Sequence, residues 1–277
     1  MRILITNDDG IDADGIKSLK KIALQISSEE NIFVVAPSSN QSAKSRSVTY
    51  KTNFEITKKS NNEYSIGGTP TDCIIFALDY LMKSKKPDLV LSGINWGYNL
   101  AEDVFYSGTV AAALEGAERG VLSIALSQAY NNEEKKLNPY LFAEGCGSSL
   151  CLSIYEKFSN TNKKMAFNVN FPSTARIEYP ACVKVTPARP MYKSNSVIDI
   201  RPKSKNSYSA KIDSINIHSF SGIEDDYTNC MNGYITVSPL SMNVYNKSNF
   251  EKLKKVQFWH EWVKSPFNAK IEKTWGL

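Results

Sequence analysis

Five runs dense in Val, Ile, Leu, Ala and Phe limit how this chain can fold: RILIT at 2–6, IFVVAP at 32–37, DLVLSGIN at 88–95, VLSIALS at 121–127 and MAFNVNF at 165–171. Strands of a half-exposed sheet alternate apolar and polar residues, whereas these are apolar on both faces, as parallel strands covered by helices on both sides are. Between the first two runs, Ile16, Leu19, Ile22, Ala23 and Ile26 recur at helical spacing. Strand, helix and strand in that order imply parallel pairing through a right-handed crossover. Further helices carry readable caps. Thr69-Pro70-Thr71-Asp72 offers a hydroxyl at the N-cap, proline at N1 and a carboxylate at N3, with Ile74, Ala77, Leu78 and Leu81 as the buried stripe behind it. Ser107-Gly108-Thr109 opens the small-residue helix VAAALEGAERG, which Gly120 stops, and 140–158 reads as another helix. The expected fold class is therefore α/β, a three-layer sandwich around a mostly parallel sheet.

After about residue 186 the composition shifts to Ser, Asn, Lys and Tyr, with alternating pieces such as YSAKID and NGYITVSPL that suggest hairpins rather than more βαβ units. Ser248 to Val263 then reads as a helix, with Glu251 completing a capping box and Leu253, Val256, Trp259 and Val263 along one stripe. The organisation expected is an α/β core over 1–185 and an appended hairpin region with a C-terminal helix over 186–277, together one structural unit.

Composition closes several routes. The 277 residues carry 33 Lys and Arg against 28 Asp and Glu, a balance of +5 that admits anionic substrates but lacks the concentrated basic stripe of a nucleic-acid binder. No run of about 18 apolar residues exists, so no membrane span is expected. The N-terminal apolar run meets Asp8 and Asp9 too soon for a secretory signal. Five cysteines without CxxC spacing read as reduced thiols, which places the chain in the cytoplasm. With only His218 and His260 present, a multi-histidine metal site is excluded.

Four polar clusters remain. Asn7-Asp8-Asp9-Gly10 follows the first strand, and ligands of open α/β sheets bind outside the carboxyl ends of strands. Two adjacent carboxylates repel unless a cation or proton intervenes, and oxygen ligands favour a hard ion such as Mg²⁺ or Mn²⁺. A turn that only caps the next helix would use the same residues. The serine-rich loop from Ser38 to Thr49 follows the second strand; a hydroxyl from it can reach the same ion and Lys44 or Arg46 can meet an anion, or the loop is simply solvated. Ser92-Gly93-Ile94-Asn95 and the following Trp96-Gly97-Tyr98-Asn99 offer an amide oxygen from Asn95, or a plain tight turn. Ser107-Gly108-Thr109, and likewise Gly67-Gly68-Thr69, stand at helix N-termini, where free N–H groups suit a phosphate or a plain N-cap. Together these loops gather at one sheet edge, an arrangement suited to metal-assisted phosphate chemistry.

At this point the chain resembles the SurE stationary-phase survival proteins, metal-dependent nucleoside monophosphate phosphatases. The likeness runs through MRILITNDDGI, VVAP with its serine-rich loop, GGTPTDC, PDLVLSGIN-x-G-x-N, YSGTVAAALEG, NVNFP at 168–172 and NGYITVSPL at 232–240. The resemblance implies a Rossmann-like core whose hairpin and C-terminal helix are exchanged between subunits of a homodimer or homotetramer. It implies hydrolysis of nucleoside 5′-monophosphates with one divalent cation, Mg²⁺ or Mn²⁺, per subunit. The implied metal ligands are Asp8, Asp9, Ser42 and Asn95, with Asp8 or Asp9 acting on the water; Ser42 stands five residues beyond Pro37, as the metal-binding serine of the family does after its VVAP segment. Asn7, Gly68, Thr69, Ser107, Gly108 and Thr109 are implied on the phosphate side. Trp96 and Tyr98 depart from the family, where many members have a small or basic residue and a proline; Trp96 either stacks on a base or packs under its loop. A receiver-like Mg²⁺-binding signalling module is the competing reading, although such modules need a phosphoryl-accepting aspartate after the third strand, where Ser92 to Asn95 stand here.

Overall fold

Residues 1–130, 138–161, 164–173, 183–186, 194–217 and 225–242 are described by a computed structural model. β1 (Ile3–Thr6) lies inside a nine-stranded sheet, flanked in parallel by β2 (Ile32–Pro37) and β5 (Leu89–Trp96). Beyond β2 come β4 (Glu63–Ile66), parallel, and the short edge strand β3 (Ile56–Lys58), antiparallel. Beyond β5 come β6 (Leu122–Gln128) and β7 (Ala166–Phe171), both parallel, then β11 (Ile235–Leu240), antiparallel to β7, and β8 (Val183–Val185). The sheet order is β3-β4-β2-β1-β5-β6-β7-β11-β8. The five apolar runs are thus β1, β2, β5, β6 and β7, and the α/β reading holds.

Each strand is apolar on both faces because each face is covered. Ile3 and Ile5 point into a core shared with α1 (Asp14–Leu24) and α5 (Leu141–Phe158), through Ile16, Leu19, Ile22, Ala143 and Ile154. Leu4, one residue out of phase, joins Val35 and Val90 on the opposite face, against Cys73, Ile74 and Leu78 of the helical segment opened by α2 (Pro70–Phe76) and against Ala112 of α4 (Gly108–Glu118). The Thr69 capping box forms as read: Thr69 and Asp72 each accept the other's backbone N–H, at 3.2 and 2.8 Å. Gly120, at φ +82°, ends the α4 segment.

Two outcomes differ from the element reading. NGYITVSPL supplies β11 of the central sheet, so one of the two alternating pieces is a core strand; the other, YSAKID, lies in β10 (Ser207–Ile217), which forms a separate hairpin with β9 (Ser194–Ser204). The short helices α3 (Asp103–Tyr106) and α6 (Asp226–Met231) are not anticipated, because four and six residues are too few to show a periodic stripe, and the second falls within the stretch read as hairpins. The helix read at 248–263 lies outside the described residues.

Candidate active site

The chain leaves β1 for β2 on one side and returns to β5 on the other, so the carboxyl ends of β1 and β5 flank the switch point of the sheet, where open α/β sheets bind ligands. Asp8 and Asp9 leave β1 there. Asp8 is 3% exposed; the Thr109 hydroxyl donates to its Oδ1 at 2.5 Å and the Thr109 N–H to its Oδ2 at 3.2 Å. Thr109 belongs to the first turn of α4, whose N-cap Ser107 accepts the Val110 N–H at 3.1 Å. An anion is therefore held at this helix start, and it is the Asp8 carboxylate. The close approach requires glycine at 108: a Cβ there would stand 2.8 Å from Asp8 Cβ and 3.1 Å from Pro70 Cγ, which also brings the start of α2 against the start of α4. Burial pushes the Asp8 carboxyl above its ordinary value despite the bonds from Thr109. Burial, and then the charge of Asp8, push Asp9 up to about 6.

Asp9 is held loosely, by the Asn40 amide on Oδ1 and the Trp96 N–H on Oδ2, both at 3.3 Å. The serine-rich loop lies over the pair: the Gln41 N–H donates to the Asp8 carbonyl at 2.7 Å, and Asn40 Oδ1 accepts the Ser42 N–H at 2.8 Å. Ser42 is exposed, two residues from the asparagine that touches Asp9. The loop is anchored at three further points. Ser45 donates to the carbonyls of Tyr106 and Phe105 at 2.9 and 2.7 Å, Arg46 pairs with Glu115 of α4 at 2.6 Å, and Thr49 donates through N–H and Oγ1 to Asp72 at 3.0 and 2.6 Å. Arg46, read as a cation for an anion, is thereby engaged with Glu115.

Asn95 is delivered by a bulge. Ser92 faces Ala125 and Asn95 faces Ser127, so Gly93 and Ile94 together oppose Leu126, and a bulge of this kind re-aims the side chains after it. Gly93 sits at φ +135° with the Leu126 carbonyl 2.3 Å from where a Cβ would be. The Asn95 amide nitrogen donates to the Gly97 carbonyl at 3.0 Å, which leaves its Oδ1 as the atom available to a cation. The loop is fixed from behind by the asparagines of NVNFP: Asn168 and Asn170 donate to the Asn99 carbonyl at 2.7 and 3.1 Å, and Asn170 Oδ1 accepts the Asn99 N–H at 2.7 Å. Trp96 packs on Tyr130, ring centroids 4.8 Å apart, and edge-on against Tyr140 at 6.1 Å. Burial, and then the charges of Asp9 and Asp14, hold the Tyr140 phenol above its ordinary value.

The profile described as "Survival protein SurE" matches residues 3–194. The chain belongs to the SurE family. Among curated SurE relatives, the protein named 5′-nucleotidase SurE from Campylobacter jejuni subsp. doylei is 35% identical over 259 residues, 93% of this chain and 96% of its own length. The protein of the same name from Wolbachia pipientis subsp. Culex pipiens is 42% identical over 180 residues, 64% of this chain and 67% of its own. The crystal structure of the SurE protein from Aquifex aeolicus superposes with a TM-score of 0.72 at 32% identity, covering 92% of this chain and 98% of that one.

Of the residues the SurE resemblance singles out, Asp8, Asp9, Asn95, Ser107, Gly108 and Thr109 converge at the switch point. Ser42 borders them through Asn40. Asn7 turns inward: its amide nitrogen donates to the Gly10 carbonyl at 2.8 Å and its oxygen accepts the Gly10 N–H at 3.2 Å, closing the turn that presents the two aspartates. Thr69 is the N-cap of α2 and donates its hydroxyl to the Ser47 carbonyl at 2.7 Å, so it fastens the serine loop as well as the helix. The positioning roles of Asn168 and Asn170, of Arg46 with Glu115, and of Thr49 with Asp72 were not legible, since they join residues 23 to 71 positions apart. The NVNFP motif was visible; its use was not. No helix among the described residues is long and apolar enough to cross a membrane.

Proposed function

We propose that this chain is a divalent-metal-dependent 5′-nucleotidase that hydrolyses nucleoside 5′-monophosphates to nucleoside and inorganic phosphate. The observation that carries the reading is the placement of Asp8 and Asp9 at the sheet's switch point, pressed against the start of α4. The donor set fits a hard cation. Asp8 is buried and Asp9 half-buried beside it, and burial together with the charge of Asp8 raises the proton affinity of Asp9, which a cation between them would relieve; Asn95 Oδ1 and the Ser42 hydroxyl complete an all-oxygen set. Among the described residues no three His, Cys, Asp or Glu gather, so the serine and asparagine oxygens are needed to complete the ligands. The bound cation, Mg²⁺ or Mn²⁺ and one per subunit, supplies charge neutralisation and Lewis acidity to the ester.

The rest is work for the chain's own groups. Thr109 fixes both oxygens of Asp8, so Asp8 serves as the rigid ligand, while Asp9, with two long contacts, is free to take the proton of the attacking water. The water oxygen bonds to phosphorus, the P–O ester bond breaks, and the departing 5′-oxygen takes a proton from solvent. The starts of α4 and α2 meet at Gly108 and Pro70, and the positive ends of their dipoles beside Asp8 support a phosphate seat on this side of the pair. A receiver-like module would need an aspartate at the end of β5, and Ser92 to Asn95 stand there.

Assembly as a homodimer or homotetramer is supported by the hairpin. Ile198, Ile200 and Pro202 pair directly across from Ile212, Ala210 and Tyr208, giving an apolar face on which Ile198, Ile200, Tyr208 and Ile212 are each more than half exposed. A cytoplasmic setting is supported by the thiols Cys73, Cys146 and Cys151, which form no disulfide among the described residues. The test of function is phosphate release from a panel of nucleoside monophosphates with Mg²⁺, with Mn²⁺ and with chelator. Turnover that chelator abolishes is expected; no release from any substrate with either metal overturns the reading.

A further inference from the structure

Trp96 is an odd residue to find beside an acidic site. Its backbone N–H donates to Asp9 Oδ2 and it directly follows Asn95, so the indole belongs to the rim of the site itself. Two tyrosines brace it, Tyr130 at 4.8 Å with rings tilted by 60° and Tyr140 at 6.1 Å with rings at 78°. Such tilted and edge-on packing immobilises the ring. Yet 39% of Trp96 remains exposed, although Tyr140 beneath it is only 3% exposed. A tryptophan that served only to fill space under its loop would be covered; this one is held rigid and left open.

From this arrangement we infer that Trp96 is the base platform of the site, stacking the purine ring of a nucleoside monophosphate whose phosphate lies at Asp8 and Asp9. The inference rests on the nucleotidase reading and gives it a substrate class. The two-ring indole face matches a two-ring base, and a rigid aromatic loses little freedom on stacking, so purines gain more than pyrimidines. Trp96 acts by binding and takes no part in bond-breaking.

The test combines kinetics with fluorescence. The ratio of kcat/KM for GMP or AMP to kcat/KM for ribose 5-phosphate, an ester without a base, is measured for the native chain, for Trp96→Ala and for Trp96→Phe. The ratio is expected to fall roughly tenfold in Trp96→Ala and to recover in part in Trp96→Phe. The other three tryptophans, Trp259, Trp262 and Trp275, are common to the native chain and Trp96→Phe, so their difference emission reports Trp96 alone. Guanosine or GMP is expected to quench that emission. Circular dichroism of each variant checks that it is folded. An unchanged ratio in folded Trp96→Ala, with no quenching, overturns the proposal and leaves Trp96 as loop packing. Quenching without phosphate release from any ester would uphold the platform while overturning the nucleotidase reading.

Discussion

Thr109 holds Asp8 by both carboxylate oxygens, through its hydroxyl at 2.5 Å and its own N–H at 3.2 Å. The turn that follows β1 and the helix that begins at Gly108 are thereby locked at the carboxylate proposed to hold the cation. Thr109→Val keeps the shape and the N–H but leaves Asp8 Oδ1 buried without its donor, which costs about 1–3 kcal/mol of stability. Ligand orientation suffers too, and loss of such a supporting bond weakens metal affinity or turnover by roughly 10–100-fold. Calorimetric Mn²⁺ titration alongside phosphate release will show this, with Thr109→Ser retaining most of both; a Thr109→Val protein with native affinity and rate would remove the positioning role.

Gly108 and Gly145 make a matched pair of glycine substitutions with opposite outcomes. At 108 a Cβ meets Asp8 Cβ at 2.8 Å and Pro70 Cγ at 3.1 Å, so Gly108→Ala must push α4 away from Asp8. At 145, exposed within α5, a Cβ meets nothing within 4 Å. Gly145→Ala is expected to stabilise by about 0.5–1 kcal/mol, the usual helix-interior gain, with activity unchanged. Gly108→Ala is expected to lose more than about tenfold in kcat/KM, since small displacements of catalytic groups cost of that order. Thermal melts and phosphate release on the two variants check both.

How much of this was written in the sequence follows from the range of each interaction. β1, β2, β5, β6 and β7 were readable because both their faces are buried, and the caps at Thr69 and Ser107 because a cap is decided within three residues. β3 escaped notice because it is three exposed residues; β11 was readable as an extended piece, but its place in the central sheet was not, because its antiparallel pairing with β7 is settled by the sheet and not by its own pattern. Asp8, Asp9 and Asn95 were legible as types suited to a cation, but the grip of Thr109 on Asp8, 101 positions away, was not. The resemblance implies the same residue on the phosphate side, and a helix start by itself signals only that an anion is favoured there, not that the Asp8 carboxylate is held by it.

Arg46 ties the serine loop to α4, 2.6 Å from Glu115, whose other oxygen binds Arg119 at 2.8 Å. Because Arg119 remains to neutralise Glu115, Arg46→Ala strands no buried charge and should cost only about 1 kcal/mol. Its larger effect is local. With that anchor gone, Ser42 and Asn40 lose part of their fixed position over Asp9, and the loop opens more readily than the sheet beneath it. Hydrogen exchange at Ser45, whose N–H donates to Tyr106, is expected to quicken by about tenfold, while exchange in β1 and β5 holds steady. Uniform acceleration across the sheet would mean that the pair supports global stability instead.

Asp103 gives the fold a pH dependence with an uncommon sign. Burial, and next the charge of Asp226, raise its carboxyl from 3.8 to about 6, so the folded chain binds this proton more tightly than the unfolded one. Between those two values the native state carries more of the proton, and this group's contribution to stability falls as pH rises through the window, reaching its full penalty above about 6. A wholly buried group with this shift would cost about 3 kcal/mol. Asp103 is partly exposed, and screening by solvent brings the figure to about 1 kcal/mol. Asp103→Asn removes the charge and keeps the size. Its melting temperature at pH 8 is expected to exceed that of the native chain by about 3 °C, with the gain gone by pH 4. A gain of the same size at both pH values would show that the asparagine acts by packing or by the α3 terminus, and not by relieving the repulsion between Asp103 and Asp226.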